Sequence, residues 1–235
     1  MRLLFCALSL CVTAFCQRDN GPQPTAIDPG SATKAPSDAI VLFDGKDMSH
    51  WVTIDGKPAG CIVADGVMNC KSGVGSIYTM AKIGSMQLHL EFAVPYMPEQ
   101  HGQLRGNSGV LLQSRSEIQV LDSYNNPTYA NGSLGALYGE YAPLVNAARP
   151  PTEWETYDII FHQPQCDAEG KVAKKGTVTV ILNGVLVQDH VTINKTDQGC
   201  GAGPLMLQDH SGFKGAPVTT MKFRNIWYRP LEDEK

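Results

Sequence analysis

Short segments with alternating apolar and polar residues, separated by turn-forming residues, run along most of this 235-residue sequence and constrain its fold more than any other feature. In the clearest of them, residues 86–94, the alternation is that of a strand with one buried face. An Asn-Gly pair at 183–184 joins two further segments, and this dipeptide is typical of a two-residue hairpin turn. Strong helical periodicity is hard to find. The pattern therefore predicts an all-β fold, an antiparallel two-sheet β-sandwich.

The first 16 residues have the composition of an export signal. One positive charge precedes an apolar run of about a dozen residues, which is too short to span a bilayer, and small residues follow it. Cys16 could instead carry a lipid anchor, but the large Phe15 before it disfavours a lipoprotein site. Residues 17–38 are rich in Pro, Gly, Ser, Thr and Asp, and we expect a disordered tether there. A single domain over residues 39–231 would then be exported, to the periplasm or outside the cell.

Cysteines outside the predicted signal are even in number, as expected in an oxidising compartment. Cys61 and Cys70 flank Asp65-Gly66, a hairpin-turn dipeptide, so they could lie opposite one another on paired strands. Other pairings are formally open, but this one leaves Cys166 to bond with Cys200. A zinc site would need more closely spaced pairs of ligands.

The charge pattern limits the choice of partner. The formal net charge is −4 and the chain has no basic block, which argues against nucleic acid. A long segment at 123–143 is rich in turn formers, aromatic rings and amides, and loops of this length are commonly functional. Aromatic faces and amide groups suit sugar binding, so we expect a small carbohydrate partner. The oligomeric state is left open.

Residues 106–122 form the most informative stretch, an apolar strand followed by a strand with polar groups. Glu117 and Gln119 share one face of the second strand because side chains alternate with period two. Asp122 would point to the opposite face unless a β-bulge lies between them, and bulges are common beside active sites. One interpretation is a cleft floor lined by Glu117, Gln119 and Asp122. The alternative is a solvated strand face without function.

Several motifs, including the stretch just described, together resemble the 3-keto-disaccharide hydrolase family over residues 39–231. Two departures are Glu155, where that family more usually has Asn, and a cysteine-containing insertion at 163–176. The motifs, in order, are Leu42-Phe43-Asp44-Gly45-Lys46-Asp47 with Trp51, Gly106-Asn107-Ser108-Gly109-Val110, Glu117-Ile118-Gln119-Val120-Leu121-Asp122, Gly135-Ala136-Leu137-Tyr138 with Pro143, Glu153-Trp154-Glu155-Thr156-Tyr157, Leu182-Asn183-Gly184, Leu207-Gln208-Asp209-His210 and Phe223-Arg224-Asn225-Ile226.

The resemblance implies a concanavalin-like jelly roll and activity on glycosides oxidised at C3. A ketone at C3 acidifies the hydrogen on C2, so that a base can remove it. The anomeric group then leaves by elimination, water adds back, and the net reaction is hydrolysis. Such a site needs a base, a stabiliser for the enolate oxygen and an acid for the leaving group.

Site residues follow from the same resemblance. We expect Glu117 or Asp122 to act as the base, or to bind a divalent metal ion that polarises the keto oxygen. His210 is the candidate proton donor because its titration range spans neutral pH. Tyr138 is a second donor or a stacking platform. The sugar-binding amides are expected to be Asn107, Gln119 and Gln208. The His and carboxylate spacing does not single out a metal site.

Two other functions stay open at the level of sequence. Glu117, Gln119 and Asp122 have the spacing of the acidic strand of laminarinase-type endo-glycosidases, but the middle acid is replaced by an amide and the last is shorter. Retaining hydrolysis needs two carboxyl groups about 5–5.5 Å apart. The other alternative is a lectin-like carbohydrate-binding module without catalysis, since a fold alone does not decide function.

Overall fold

A computed structural model describes residues 23–195, 199–212 and 215–233. The predicted signal at 1–16 and the start of the tether lie outside the described residues. No named helix or strand occurs between 23 and 38, and this segment packs through Asp38 against Arg229, which lies 2.6 Å away on the last strand. No helix in the described ranges is long and apolar enough to cross a membrane.

Nearly all of the regular secondary structure in the described chain is β-strand, as the sequence pattern predicts. Three short 3-10 helices, at Gly102–Leu104, Ala130–Gly132 and His210–Gly212, lie in the loops. The strands are β1 Ile40–Phe43, β2 Trp51–Val52, β3 Ile62–Ala64, β4 Val67–Lys71, β5 Ile77–Ile83, β6 Met86–Ala93, β7 Ser108–Leu112, β8 Ser116–Val120, β9 Glu155–His162, β10 Gln165–Cys166, β11 Val172–Lys174, β12 Thr177–Leu182, β13 Val185–Thr192, β14 Gly203–Leu207 and β15 Thr220–Pro230.

Two antiparallel sheets form the sandwich. The larger has the order β13-β12-β9-β6-β15-β4-β3, with β1 also paired to β15, and the smaller has the order β2-β5-β14-β7-β8. Strands β10 and β11 form a separate ribbon in the region expected to be an insertion. Alternate residues of both sheets, such as Leu88 and Leu90 in β6 and Val110 and Leu112 in β7, fill the core between the two layers.

Both predicted hairpins are present. Asp65 and Gly66 have φ angles of 52° and 75°, and Asn183 and Gly184 have φ angles of 53° and 79°. Positive φ at both central residues is the geometry of the type I′ turn, which matches the twist of the flanking strands. The first of these turns places Cys61 and Cys70 within bonding distance across β3 and β4.

The two predicted disulfides, Cys61–Cys70 and Cys166–Cys200, are confirmed. The second joins the β10–β11 ribbon to the loop that follows β13, a loop that also lies beside the candidate site.

Candidate active site

Strands β7 and β8 place the polar residues of the 106–122 stretch. They pair in continuous register from Ser108 opposite Val120 to Leu112 opposite Ser116. Because directly opposed residues share a face, Glu117 and Gln119 point away from the core while Ile118 points into it. This part of the prediction is confirmed.

The neighbouring strands extend this outer face into two rows. Glu117 lies opposite Leu111, which in turn neighbours Met206 on β14, so the acid ends a row of apolar side chains. The adjacent row contains Gln119 and Gly109, and the backbone N–H of Gln208 donates to the Gly109 carbonyl at 2.9 Å. The row that contains the acid Glu117 therefore runs beside the row that contains the amide Gln119.

The Glu117 side chain lies directly over Gly109. A Cβ atom at Gly109 would be 2.4 Å from Glu117 Oε1, so any other residue at this position would displace the carboxyl group from where it lies. Burial raises the pKa of Glu117 from 4.5 to about 7, and the positive charge of Lys195 opposes this rise. A carboxyl group that titrates near neutral pH is suited to accept and return a proton.

The raised pKa predicts a pH-dependent cost in stability. A group with a higher pKa in the folded than in the unfolded state binds more protons when folded, so stability falls as pH rises from 4.5 through about 7. We expect Glu117→Gln to remove this dependence and to be more stable than wild type at pH 8, by up to about 3 kcal/mol. Urea unfolding at pH 5 and pH 8 measures the difference, and parallel pH curves for the two proteins would contradict the prediction.

Gln103 holds the amides together, although no sequence signal singled it out. Its Oε1 accepts from Gln119 Nε2 at 3.0 Å and from Asn107 Nδ2 at 3.2 Å. Backbone carbonyls fix the orientation of both amides, since Gln119 Nε2 also donates to Gly132 and Asn107 Nδ2 also donates to the Gln103 carbonyl. The oxygen atoms of Gln119 and Asn107 consequently point away from these donors.

Three buried amide oxygens have no hydrogen-bond partner among the described residues: Asn107 Oδ1, Gln119 Oε1 and Gln208 Oε1. A buried acceptor without a donor costs about 1–3 kcal/mol, so these three oxygens favour the binding of groups that donate hydrogen bonds. Groups that donate, such as sugar hydroxyls, would remove the cost on binding. The predicted sugar-binding role of these amides stays a proposal, and their geometry supports it.

His210 lies two residues beyond Gln208, in the short helix that follows β14. It lines a small pocket together with Asn107 and Gln208. Burial lowers the pKa of His210, and the negative charge of Asp209 opposes this effect. His210, the candidate proton donor, therefore lies beside the two amides Asn107 and Gln208.

Tyr138 lies in the loop that covers the free edge of β8, and its backbone N–H donates to the Glu117 carbonyl at 2.9 Å. Its hydroxyl is 2.6 Å from that of Tyr129, whose ring packs over Gly132. Burial, helped by the Tyr138 hydroxyl, raises the pKa of Tyr129 to about 12, so this phenol is neutral at physiological pH. Tyr129 and Lys195 were not foreseen from the sequence.

Asp122 is placed differently from the sequence interpretation. The register of β8 has no shift up to Val120, so the expected bulge is not found in the strand. Asp122 follows the strand and is 2 % exposed, with Oδ2 2.9 Å from Arg105 Nε. It lines a groove with Tyr96 and Tyr124 rather than the face that carries Glu117. Burial raises the pKa of Asp122, although the Arg105 charge acts in the opposite direction.

Glu155, the residue that departs from the family pattern, has a role in loop structure. It is 2 % exposed, its Oε1 accepts from the Arg149 backbone N–H at 2.8 Å, and its Oε2 accepts from Asn183 Nδ2. These contacts join the loop before β9 to the β12–β13 hairpin.

Among the described residues, the donors around Glu117 do not form a metal cluster. No group of three or more His, Cys, Asp or Glu residues within the described ranges is placed to hold a metal ion. The described polar groups around Glu117 include an ammonium, two phenols and an amide, which is a poor donor set for a divalent cation.

The chain is a two-sheet antiparallel β-sandwich protein whose smaller sheet carries an acid and amides on its outer face. The model of the 3-keto-alpha-glucoside-1,2-lyase-like domain matches residues 38–229, and the chain belongs to this family. The resemblance drawn from the sequence motifs is thereby confirmed.

Solved structures agree with this assignment. A crystal structure from Parabacteroides distasonis ATCC 8503, provisionally described as a glycosyl hydrolase, is 42 % identical, covers 98 % of this chain and 100 % of its own, and has a TM-score of 0.83. A second from the same organism is 21 % identical, with a TM-score of 0.61 over 83 % of this chain and 94 % of its own, and shows the fold alone. No curated protein matches the chain. The family and the first structure support a glycosidase-type enzyme.

Proposed function

We propose that this protein cleaves the glycosidic bond of 3-keto-glycosides, including 3-keto-disaccharides, by proton abstraction at C2, elimination and hydration. The observation that carries the proposal is the raised pKa of Glu117, which burial brings to about 7. This carboxyl group shares its face with amide oxygens that have no hydrogen-bond partner among the described residues. A proton on carbon next to a ketone is only weakly acidic, so its removal requires a base whose pKa is matched to the working pH.

The reaction starts when the Glu117 carboxylate takes the C2 proton and the C2–H electron pair forms an enolate with the C3 ketone. The enolate then expels the oxygen at C1, a C1–C2 double bond forms, and the departing oxygen receives a proton. Water adds across that double bond, with hydroxide at C1 and the proton from Glu117 returning to C2. The products are the free 3-keto-sugar and the released alcohol, and each group regains its first protonation state.

The remaining side chains supply binding and proton transfer in this scheme. Asn107, Gln119 and Gln208 accept hydrogen bonds from sugar hydroxyls, which provide the donors that their oxygens lack. The imidazolium form of His210 protonates the departing oxygen, and the resulting neutral imidazole takes a proton back from the attacking water. Tyr138 forms a stacking wall at the edge of β8. Asp122 stabilises the fold through Arg105 and takes no part in the chemistry.

Among the described residues, the outer face of β7 and β8 carries a single acid, Glu117. This favours the elimination scheme over the two rival functions. A retaining endo-glycosidase of the laminarinase type needs a second carboxyl group close to the first. Here the outward neighbour of Glu117 on β8 is the amide Gln119, and Asp122 is paired with Arg105. A lectin-like module would not need a carboxyl group whose burial costs stability.

Turnover of a 3-keto-glucoside with a chromogenic leaving group, compared with its unoxidised parent, tests the proposal. We expect only the keto compound to be cleaved. When the reaction is run in D2O, we expect deuterium at C2 of the sugar product, because the proton returned to C2 comes from a group that exchanges with solvent.

Each other result identifies a different function. Cleavage of the unoxidised parent without deuterium at C2 would indicate a conventional glycosidase. Sugar binding without turnover of either compound would indicate a lectin-like module. Both results would overturn the proposed reaction.

We also infer that the protein acts outside the cytoplasm. Its two disulfides persist in oxidising compartments, and residues 1–16 have the composition of an export signal. The intact mass of the protein recovered from cells tests this, because export predicts a chain shortened at its N-terminus.

A further inference from the structure

A tethered loop brings a cation to the candidate site. Lys195 follows β13, and the Asn194 backbone N–H before it donates to Glu140 Oε2 at 2.6 Å. Beyond it, Arg115 Nη1 donates to the Gly201 carbonyl at 3.1 Å, and Cys200 forms its disulfide with Cys166. The contact of Asn194 with Glu140 fixes the backbone immediately before Lys195.

The Lys195 ammonium is bound beside Tyr138. Its Nζ donates to the Tyr138 carbonyl at 2.8 Å and lies 5.9 Å from the centre of that ring. Gly139 allows this approach, since a Cβ at that position would be only 3.3 Å from Nζ. Tyr138 itself donates its backbone N–H to the Glu117 carbonyl. Two hydrogen bonds thus connect the ammonium to the backbone of the acid.

We propose that Lys195 is a positioning residue that favours the carboxylate form of the Glu117 side chain, so that a larger fraction of Glu117 can accept a proton at neutral pH. This inference rests on the proposed function, because it assigns Lys195 a part in the same reaction. Lys195 does not itself touch the reacting atoms in the scheme.

The charges around Glu117 support this role. Burial disfavours the carboxylate, and the Lys195 charge is the contribution that favours it and lowers the pKa. The loop after β8 contributes Tyr129 and Tyr138, and Tyr129 is neutral because its pKa is raised to about 12. The neighbouring strands contribute Gly109, Leu111 and Met206, which carry no charge. Glu140 bonds to the backbone of Asn194 at the base of the loop.

Removal of the charge should shift the titration of Glu117. In Lys195→Met we expect the pKa of Glu117 to rise by about one unit, while Lys195→Arg should keep it near the wild-type value because the charge is retained. The matched control is Lys222→Met, which removes the same charge from an exposed position on the larger sheet and should leave the titration unchanged.

Two readouts keep this inference separate from the proposed function. The carboxyl carbon of Glu117, assigned with Glu117→Gln and followed by 13C NMR, reports its titration without any substrate. The pH profile of kcat/KM on the 3-keto-glucoside should move to higher pH by the same amount. An unchanged Glu117 titration in Lys195→Met would overturn the inference. A shifted titration in a protein that cleaves no keto-glycoside would overturn the proposed function and leave the role of Lys195 intact.

Discussion

Glu117→Gln is expected to lower kcat on the 3-keto-glucoside by about 10³-fold, within the range that a general acid or base contributes. The amide keeps the size of the carboxyl group above Gly109 but cannot accept the C2 proton. Because the amides proposed to bind the sugar are unchanged, KM should stay within about threefold of the wild-type value. Steady-state kinetics with the keto substrate, and exchange of the C2 hydrogen in D2O, provide the measurement.

A matched control for this variant is Glu153→Gln, which makes the same chemical change at an exposed acid outside the site. It should leave kcat and KM unchanged. If Glu117→Gln retained more than about a tenth of the wild-type kcat, a loss of one decade or less would be too small for a general base, and Glu117 would not be the base.

Asp122→Ala is expected to destabilise the fold by about 3–5 kcal/mol, because it leaves the Arg105 charge without its partner in a site closed to solvent. The Asp122 and Arg105 side chains are 1 % and 13 % exposed, so water cannot replace the lost contact easily. Urea unfolding at neutral pH measures the effect. The raised pKa of Asp122 shows that burial costs more than Arg105 returns. We therefore expect the apolar double variant Arg105→Met/Asp122→Leu to recover much of the loss.

The comparison for this prediction is Asp38→Ala, which removes a partner of Arg229. That pair has a separation of 2.6 Å, similar to the buried one, but its side chains are about one-third exposed. An exposed pair of this kind contributes about 0.2–1 kcal/mol, so the loss should be small. A loss of activity in Asp122→Ala without a loss of stability would contradict the structural role and return Asp122 to the catalytic candidates.

Local sequence patterns predict the architecture well because they act over a few residues. Period-two alternation in residues 86–94 predicts β6, which has Leu88 and Leu90 in the core. The dipeptides at 65–66 and 183–184 predict hairpins because few residues adopt positive φ at low cost. The first hairpin also predicts the Cys61–Cys70 bond. The same alternation places Glu117 and Gln119 on one face.

Asp122 shows where local reasoning fails. Its distance in sequence from Glu117 suggested a bulge that would return it to the same face, but the chain leaves the sheet after Val120. The partner that holds Asp122 is Arg105, which comes from the loop before β7. A buried ion pair between a strand end and a distant loop has no periodicity, so nothing in the spacing could predict it.

The sequence by itself determined the β-sandwich, its hairpins, its disulfides and the strand that carries the acid and the amide. Only the tertiary structure decided which groups surround that acid. Gln103 orients two amides, and Lys195 arrives from a loop 78 residues beyond Glu117 in sequence. The physical reason is that the burial of a side chain and the charges near it are set by residues that are close in space, whatever their distance in sequence. The pKa of Glu117 depends on the covering loops and on Lys195, which meet the acid only after the two sheets have packed.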